Sequence, residues 1–211
     1  MATKSSLRAQ ARGHRRERRR GANPSVSTIL SSRPIPTYDL AEAEGLARQV
    51  ATLARSMGGV ALPALFASTP FEPDMSLVLD LFPRALLPVL VDRAGAPLGK
   101  PGWGLWEEGH KLVTRGHRPA QPDGPALPPE AIRDADLIII PALAASPLGE
   151  RLGQGGGWYD RALVHRSPSA PIVAIVFDDE VAQPGTIPVE PHDVPIDAII
   201  TPTRTIHASP R

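Results

Sequence analysis

The sequence predicts an α/β fold built on an open sheet, and three observations lead there. Residues 137–140 are four consecutive branched aliphatics closed by Pro141, the composition of a strand buried on both faces. Within residues 39–57, Leu46, Val50, Leu53 and Met57 recur at helical spacing. Further apolar segments at 60–66, 85–91, 172–177 and 196–201 read as strands, and they alternate with helical stretches. Folds of this kind place ligands outside the carboxyl ends of their strands.

The elements follow in order. Residues 4–20 form a basic helix, with Ser5 or Ser6 near its start and Gly21, Asn23 and Pro24 to stop it. Its apolar content is thin, Leu7 and a few alanines. Asp39 caps the second helix, and Gly58 and Gly59 end it. A buried strand at 60–66, a short helix at 74–82 and a second strand at 85–91 come next. Residues 92–130 are rich in Gly and Pro and carry no clear pattern, and Trp103 and Trp106 read as packing anchors that tie them to the body. After the strand at 137–140 comes a glycine-rich loop, then a helix over 158–164, the strand at 172–177 and a last strand at 196–201. The chain divides into a basic arm at 1–24 and a single domain at 25–211.

Composition excludes several classes of function. There are no cysteines, which removes disulfides, thiolate catalysis and thiolate zinc sites. No apolar run approaches the roughly 20 residues of a membrane span. The basic N-terminus lacks the apolar stretch of a secretory signal, so a cytoplasmic protein is expected. Net charge is +1 but uneven: residues 1–20 hold eight Lys and Arg against Glu17, a net +7, which leaves −6 for the remainder. The arginine run at 12–20 has no interleaved aromatic for base stacking, so it reads as a solvated helix face rather than a nucleic-acid surface.

The chemistry concentrates at 149–161. Gly153, Gly155, Gly156 and Gly157 occupy four of five positions, which lets the backbone turn tightly and gather N–H groups into an anion-binding nest. A helix N-terminus behind the nest adds its dipole. Arg151 offers a planar fork to phosphate oxygens. Asp160 stands where a carboxylate can hold Mg²⁺ against the same phosphates. The dinucleotide fingerprint is absent, because Trp158 falls on its third glycine. The phosphate-binding P-loop is absent too: the one Gly99-Lys100 pair has Ala94 ahead of it and Pro101 behind.

Asp136 through Pro141 reads D-L-I-I-I-P, and Arg151 through Arg161 reads R-L-G-Q-G-G-G-W-Y-D-R. Together they resemble the signature of the 5-formyltetrahydrofolate cyclo-ligases, a strand ending in Pro followed by an R-L-G-x-G-x-G-Y-Y-D loop. Three sparser matches keep the family's order. Lys4 to Arg8 (K-S-S-L-R) is similar to its N-terminal K-x-x-x-R. Glu72-Pro-Asp74 resembles its E-x-D, and His192-Asp193, with Asp197 four residues on, resembles its late acidic motif.

The resemblance implies a single three-layer α/β/α domain with a mostly parallel sheet. It implies ATP-dependent closure of 5-formyltetrahydrofolate to 5,10-methenyltetrahydrofolate, with release of ADP and phosphate after phosphorylation of the formyl oxygen. Carried over residue by residue, Lys4 and Arg8 reach the ATP phosphates. Arg151, Leu152, Gly153, Gln154, Gly155, Gly156, Gly157, Trp158 and Tyr159 form the ATP loop, and the stretch from Gln154 to Trp158 also faces the folate. Glu72 contacts the folate, Asp160 and Asp193 hold Mg²⁺, and Lys4, Arg151 and Tyr159 are the catalytic set. The implied partners are a reduced folate and ATP, with no membrane and no nucleic acid, and the protein is a monomer or homodimer.

The chain departs from the family at Ala142, Ala145 and Ser146, where Gly, Phe and Asp are usual, and at Trp158 in place of the first Tyr. A lost aromatic changes folate packing, so a repurposed relative that binds a nucleotide or phosphorylated metabolite is the rival reading. A nucleic-acid binder working through the arm is a third. Tyr159 fits either a site role or a core ring with a tethered hydroxyl. His192 reads as exposed, beside the matching Asp193.

Overall fold

A computed structural model describes residues 3–20 and 37–209. The expected helix stop at Gly21, Asn23 and Pro24 lies outside them. Among the described residues a seven-stranded sheet forms the centre. Its parallel middle runs β10 (Ala198–Ile200), β9 (Ile172–Ile175), β6 (Leu137–Pro141), β1 (Pro63–Ala64) and β2 (Arg84–Val91). Each edge strand is antiparallel: β11 (Thr205–His207) beside β10, and β3 (Pro97–Glu107) beside β2.

Period-two alternation builds the layers. Leu137 and Ile139 of β6, with Val173 and Ile175 of β9, face one apolar cluster. That cluster takes in Leu46 and Val50 of α2 (Leu40–Ser56) and Val78 and Leu79 of α3 (Ser76–Leu79). Ile138, Ile140, Ile172 and Ala174 face the opposite cluster, with Ala162 and Leu163 of α4 (Trp158–Leu163). A central strand apolar on both faces is what a three-layer sandwich requires.

Helix α2 begins and ends where its local chemistry places it. The Asp39 side chain accepts from the Glu42 N–H at 3.1 Å. At the other end Gly58 and Gly59 both have positive φ, and their N–H groups return to the Arg55 and Ala54 carbonyls. Met57 lies past the last turn and is 36% exposed, so it does not join the core stripe. Gly45 is required by contact: a Cβ there would stand 2.3 Å from the carbonyl oxygen of Pro202. Gly45→Ala is therefore expected to destabilise by about 1–3 kcal/mol through backbone overlap, despite alanine's better helix propensity. Urea denaturation checks this, and a stabilised variant would contradict the packing.

Three sequence expectations are corrected. The strand at 60–66 shrinks to β1, because the Asp136 carboxylate takes the Ala61 and Leu62 N–H groups at 2.6 and 3.1 Å and Pro63 has none to give. The unpatterned stretch 92–130 contains the eleven-residue β3, paired to β2 through a turn at Asp92–Gly95, and the short antiparallel pair β4 (Leu112–Val113) and β5 (Gln121–Pro122). Gly102 and Gly104 of β3 serve contact: a Cβ on Gly102 would meet Leu98 at 2.9 Å, and one on Gly104 would meet Pro122 at 2.9 Å and Val89 at 3.0 Å. Its prolines sit on an edge strand, where a missing N–H is tolerated. Trp103 and Trp106 are both buried on it. Finally, β10 is not last, since the backbone turns at Thr201–Arg204 and returns as β11.

The basic helix α1 spans Lys4–Arg20, and the Thr3 hydroxyl caps it by accepting from the Ser6 N–H at 3.2 Å. Leu7 and Ala11 pack on Leu143, Leu152 and Ile187. Its arginines are not simply a solvated face. Arg15 is buried against Glu180, Arg18 pairs with Asp179 at 2.6 Å and lies 4.2 Å from the Phe177 ring centre, and Arg19 reaches Glu42 at 3.0 Å. The helix is docked by charge more than by apolar area, which is why apolar periodicity did not reveal it. Among the described residues no helix is long and apolar enough to cross a membrane.

Candidate active site

The site lies past the carboxyl end of β6. Beyond Pro141 the chain makes a small hairpin, β7 (Ala144–Ala145) with β8 (Arg151–Leu152), and then the glycine segment that leads into α4. Gly155 and Gly157 have φ of 96° and 62°, which side-chain-bearing residues rarely adopt. Helix α4 is only six residues long and has no side-chain cap, so the loop backbone rather than a long helix dipole offers donors here.

The arm closes over this loop. Arg8 donates from Nε to the Gly153 carbonyl at 2.9 Å, and its guanidinium stands about as close to Gly155 as a Cβ would permit. Lys4 Nζ lies 2.7 Å from Asp193 and 3.1 Å from Glu190. Burial pushes the Asp193 carboxyl up, but the Lys4 ammonium, the Glu190 N–H and Arg151 outweigh it and hold it below the usual aspartate range. Burial acts downward on Lys4, and Asp193 and Glu190 override it to raise the ammonium above its ordinary value. The pair is thus charged across the neutral range. Its help in docking α1 is lost as pH falls through the lowered Asp193 value, or rises through the raised Lys4 value.

Loop, arm and sheet together enclose a cavity of about 460 Å³, within the range of small-molecule sites. Its wall includes Lys4, Arg8, Glu72, Arg151, Asp160 and Asp193, with the glycine segment from Gly153 to Gly157, Gln154 among them, and Trp158 and Tyr159. Phe66, Pro88 and Leu90 add apolar surface that no motif announced, because they meet the loop only in three dimensions. Leu152 is a correction: its side chain turns away into the cluster with Leu143 and Ile187. Ala142, Ala145 and Ser146 are fully buried and off the cavity wall. Those family departures therefore alter what lies beneath the site. Trp103 does not line the cavity either; it packs edge-to-face under Trp158 at 5.0 Å.

Arg151 is held rigidly. Its Nη1 donates to the Val194 carbonyl at 2.7 Å, and its Nη2 pairs with Asp160. These contacts engage two of its five donors. Asp74 and Asp197, the outer acids of the two sparse motifs, are structural. Asp74 accepts from the Asp39 and Ser76 N–H groups, and Asp197 from the Ile172 N–H.

Tyr159 and Glu72 line the same cavity. Glu72 Oε2 accepts from the Thr69 N–H and hydroxyl, both at 2.9 Å. The Tyr159 hydroxyl is buried and has no hydrogen-bond partner among the described residues. Burial, with the Glu72 charge adding to it, pushes its phenol well above the usual value. It is therefore a neutral donor at physiological pH. Tyr159→Phe is expected to leave stability within about 1 kcal/mol, since no bond is lost, while turnover falls on the order of 100-fold. Thermal melting beside steady-state kinetics checks both, and full activity in the variant would assign the hydroxyl to packing.

The donor set suits Mg²⁺, which favours one or two carboxylates with water and phosphate oxygens. Asp160 and Asp193 are hard oxygen donors in one wall. Among the described residues the closest-set ligand atoms belong to Glu190, His192 and Asp193, all within 4.8 Å of one another. Glu190 is an addition that the motif at 192–193 did not include, and His192 is exposed as expected.

A single α/β domain, with a glycine loop and a basic helix closing over a cleft beyond its strands, defines a small-molecule enzyme of the phosphate-handling kind. Residues 2–202 match the model of the 5-formyltetrahydrofolate cyclo-ligase family. A 5-formyltetrahydrofolate cyclo-ligase of Mycolicibacterium smegmatis is 44% identical over 135 residues, 64% of this chain and 68% of that protein. The mitochondrial cyclo-ligase of Arabidopsis thaliana is 38% identical over 90 residues, 39% of this chain and 32% of that protein. In fold, the 5,10-methenyltetrahydrofolate synthetase of Aquifex aeolicus superposes with a TM-score of 0.67 at 20% identity, covering 97% of this chain and 92% of that one. The chain belongs to the 5-formyltetrahydrofolate cyclo-ligase family, a family of ligases that use ATP to convert 5-formyltetrahydrofolate to 5,10-methenyltetrahydrofolate.

Proposed function

We propose that this chain carries out that ring closure, in the cytoplasm, inside the 460 Å³ cavity. One observation carries the reading. Lys4 and Arg8 line the same cavity as Arg151, more than 140 residues away in sequence, and as Glu72 and Tyr159. Cations for phosphates and a neutral donor beside a carboxylate thus meet in one space.

The ATP phosphates lie along Lys4, Arg8, Arg151 and the loop from Gly153 to Gly157. The folate lies against Glu72, Trp158 and Tyr159. The formyl oxygen attacks the γ-phosphorus, and the bond to the ADP oxygen breaks. N10 then attacks the activated formyl carbon and loses its proton, and phosphate departs with the former formyl oxygen. An amide oxygen is a weak nucleophile, so catalysis rests on positioning and charge neutralisation. The phosphates take further donors of Arg151 beside its Asp160 pair, and they compete with Asp193 for Lys4. Those two carboxylates would hold Mg²⁺, which when bound neutralises charge on the phosphoryl oxygens.

The test is the absorbance rise of the methenyl product from purified protein, Mg-ATP and 5-formyltetrahydrofolate, beside Asp160→Asn. Turnover in the native protein, falling on the order of 100-fold in the variant, is the expected result. Folded protein that binds ATP and yields no product would replace this reading with that of a repurposed nucleotide binder.

A further inference from the structure

We propose that a second, smaller cavity beside the first is a subsite for the aryl-carboxylate tail of the folate; this rests on the cyclo-ligase reading above. The cavity measures about 230 Å³ and shares Glu72 and Gln154 with the larger one. It is smaller than the roughly 300–1,000 Å³ that houses a whole small molecule, so it suits part of one.

Its walls are of two kinds. Phe71, 48% exposed, and Leu143 supply apolar surface. Arg12, Arg15 and Arg16 of α1 supply positive charge. Arg15 is 2% exposed, and its Nε and Nη2 grip the Glu180 carboxylate, each at 2.7 Å. Nη1, on the opposite corner of the guanidinium, is buried and has no partner among the described residues. A buried donor left unpaired is costly, and an incoming carboxylate relieves that cost. Arg16 is exposed and has no polar partner among the described residues. Glu72 also faces the cavity, its Oε2 occupied by Thr69. With Glu180 and Glu72 set against the three arginines, one positive charge remains in excess.

This pairing of apolar and cationic walls matches the half of a folate that the larger cavity does not use. Beyond the pteridine comes an aminobenzoyl ring, then glutamate carboxylates. With the pteridine beside Glu72, the ring meets Phe71 and Leu143, and the carboxylates meet Arg16 and Arg15 Nη1. Inorganic phosphate presents similar oxyanion chemistry and serves as the alternative source.

The experiment titrates p-aminobenzoylglutamate, and separately inorganic phosphate, into the full-length protein by NMR. Arg16 is the residue to change, because Arg15 also holds α1 in place. In Arg16→Ala the fragment is expected to bind about tenfold more weakly, the loss of one charge-assisted contact. Arg16→Lys restores most of that binding. The KM for 5-formyltetrahydrofolate rises about tenfold in Arg16→Ala, while the KM for ATP moves less than twofold. Fragment binding and folate KM both indifferent to Arg16→Ala would overturn the subsite. Phosphate that binds as tightly as the fragment and displaces it would assign the cavity to a free anion and overturn the tail assignment. Absence of any turnover in the native protein defeats the cyclo-ligase reading alone, and the fragment titration still decides the subsite.

Discussion

Replacing Arg151 with alanine is expected to lower kcat/KM by about three orders of magnitude. Arg151 is 8% exposed, and its guanidinium is clamped between the Val194 carbonyl and Asp160, so it reaches the cavity already oriented. A donor fixed before the reaction stabilises developing charge without reorganising, and that is the largest kind of catalytic contribution. Removing it also leaves the Asp160 carboxylate without its cation in the cavity wall. The same loss costs about 3 kcal/mol of stability, because one partner of a largely buried pair is stranded. Arg151→Lys recovers little activity, since an ammonium cannot bond Val194, Asp160 and a phosphate in one plane. Steady-state kinetics with urea denaturation measures both effects. A lysine variant close to the native rate would show that charge alone suffices and that the clamp has no catalytic role.

Deleting residues 1–8 is expected to raise the KM for ATP on the order of 100-fold. Two charged contacts are removed together, Lys4 and Arg8, each worth about 1.5–3 kcal/mol when made to a charged group. The deletion leaves the remaining helix docked. Arg15 still holds Glu180, Arg18 still pairs with Asp179, and Arg19 still donates to the Glu72 carbonyl and to Glu42. The expected signature is thus a large change in ATP KM with a modest fall in thermal midpoint. An unchanged KM for ATP in the truncated, folded protein would remove the arm from the nucleotide site. Lys4→Ala alone separates the two cations, and it also removes the ammonium that Asp193 and Glu190 share.

Local chemistry made much of the frame legible. Asp39 and the pair Gly58-Gly59 bound α2 because a cap and a left-handed stop act within one turn of where they stand. The alternation of Leu137, Ile138, Ile139 and Ile140 between two clusters follows from their being apolar on both faces of one strand. The glycine run at 153–157 announced a tight backbone, and its match to a family motif named the chemistry that such a loop serves.

What the sequence left open depended on partners far along the chain. Strand β3 was hidden because Gly102 and Gly104 answer to neighbours that cross them, and not to any strand propensity. The strand over 60–66 was cut short by Asp136, more than 70 residues away. The arginines of α1 looked solvated because Glu180, Asp179 and Glu42, which bind them, are scattered in sequence. Leu152 sat within the motif and yet turned inward, since the hairpin's pleat, not its sequence position, sets which way a side chain points. By itself the sequence determined the elements whose signals lie within a few residues, and the loop that carries the chemistry. Only the tertiary structure decided the cavity, because burial and ion pairing join groups by distance in space.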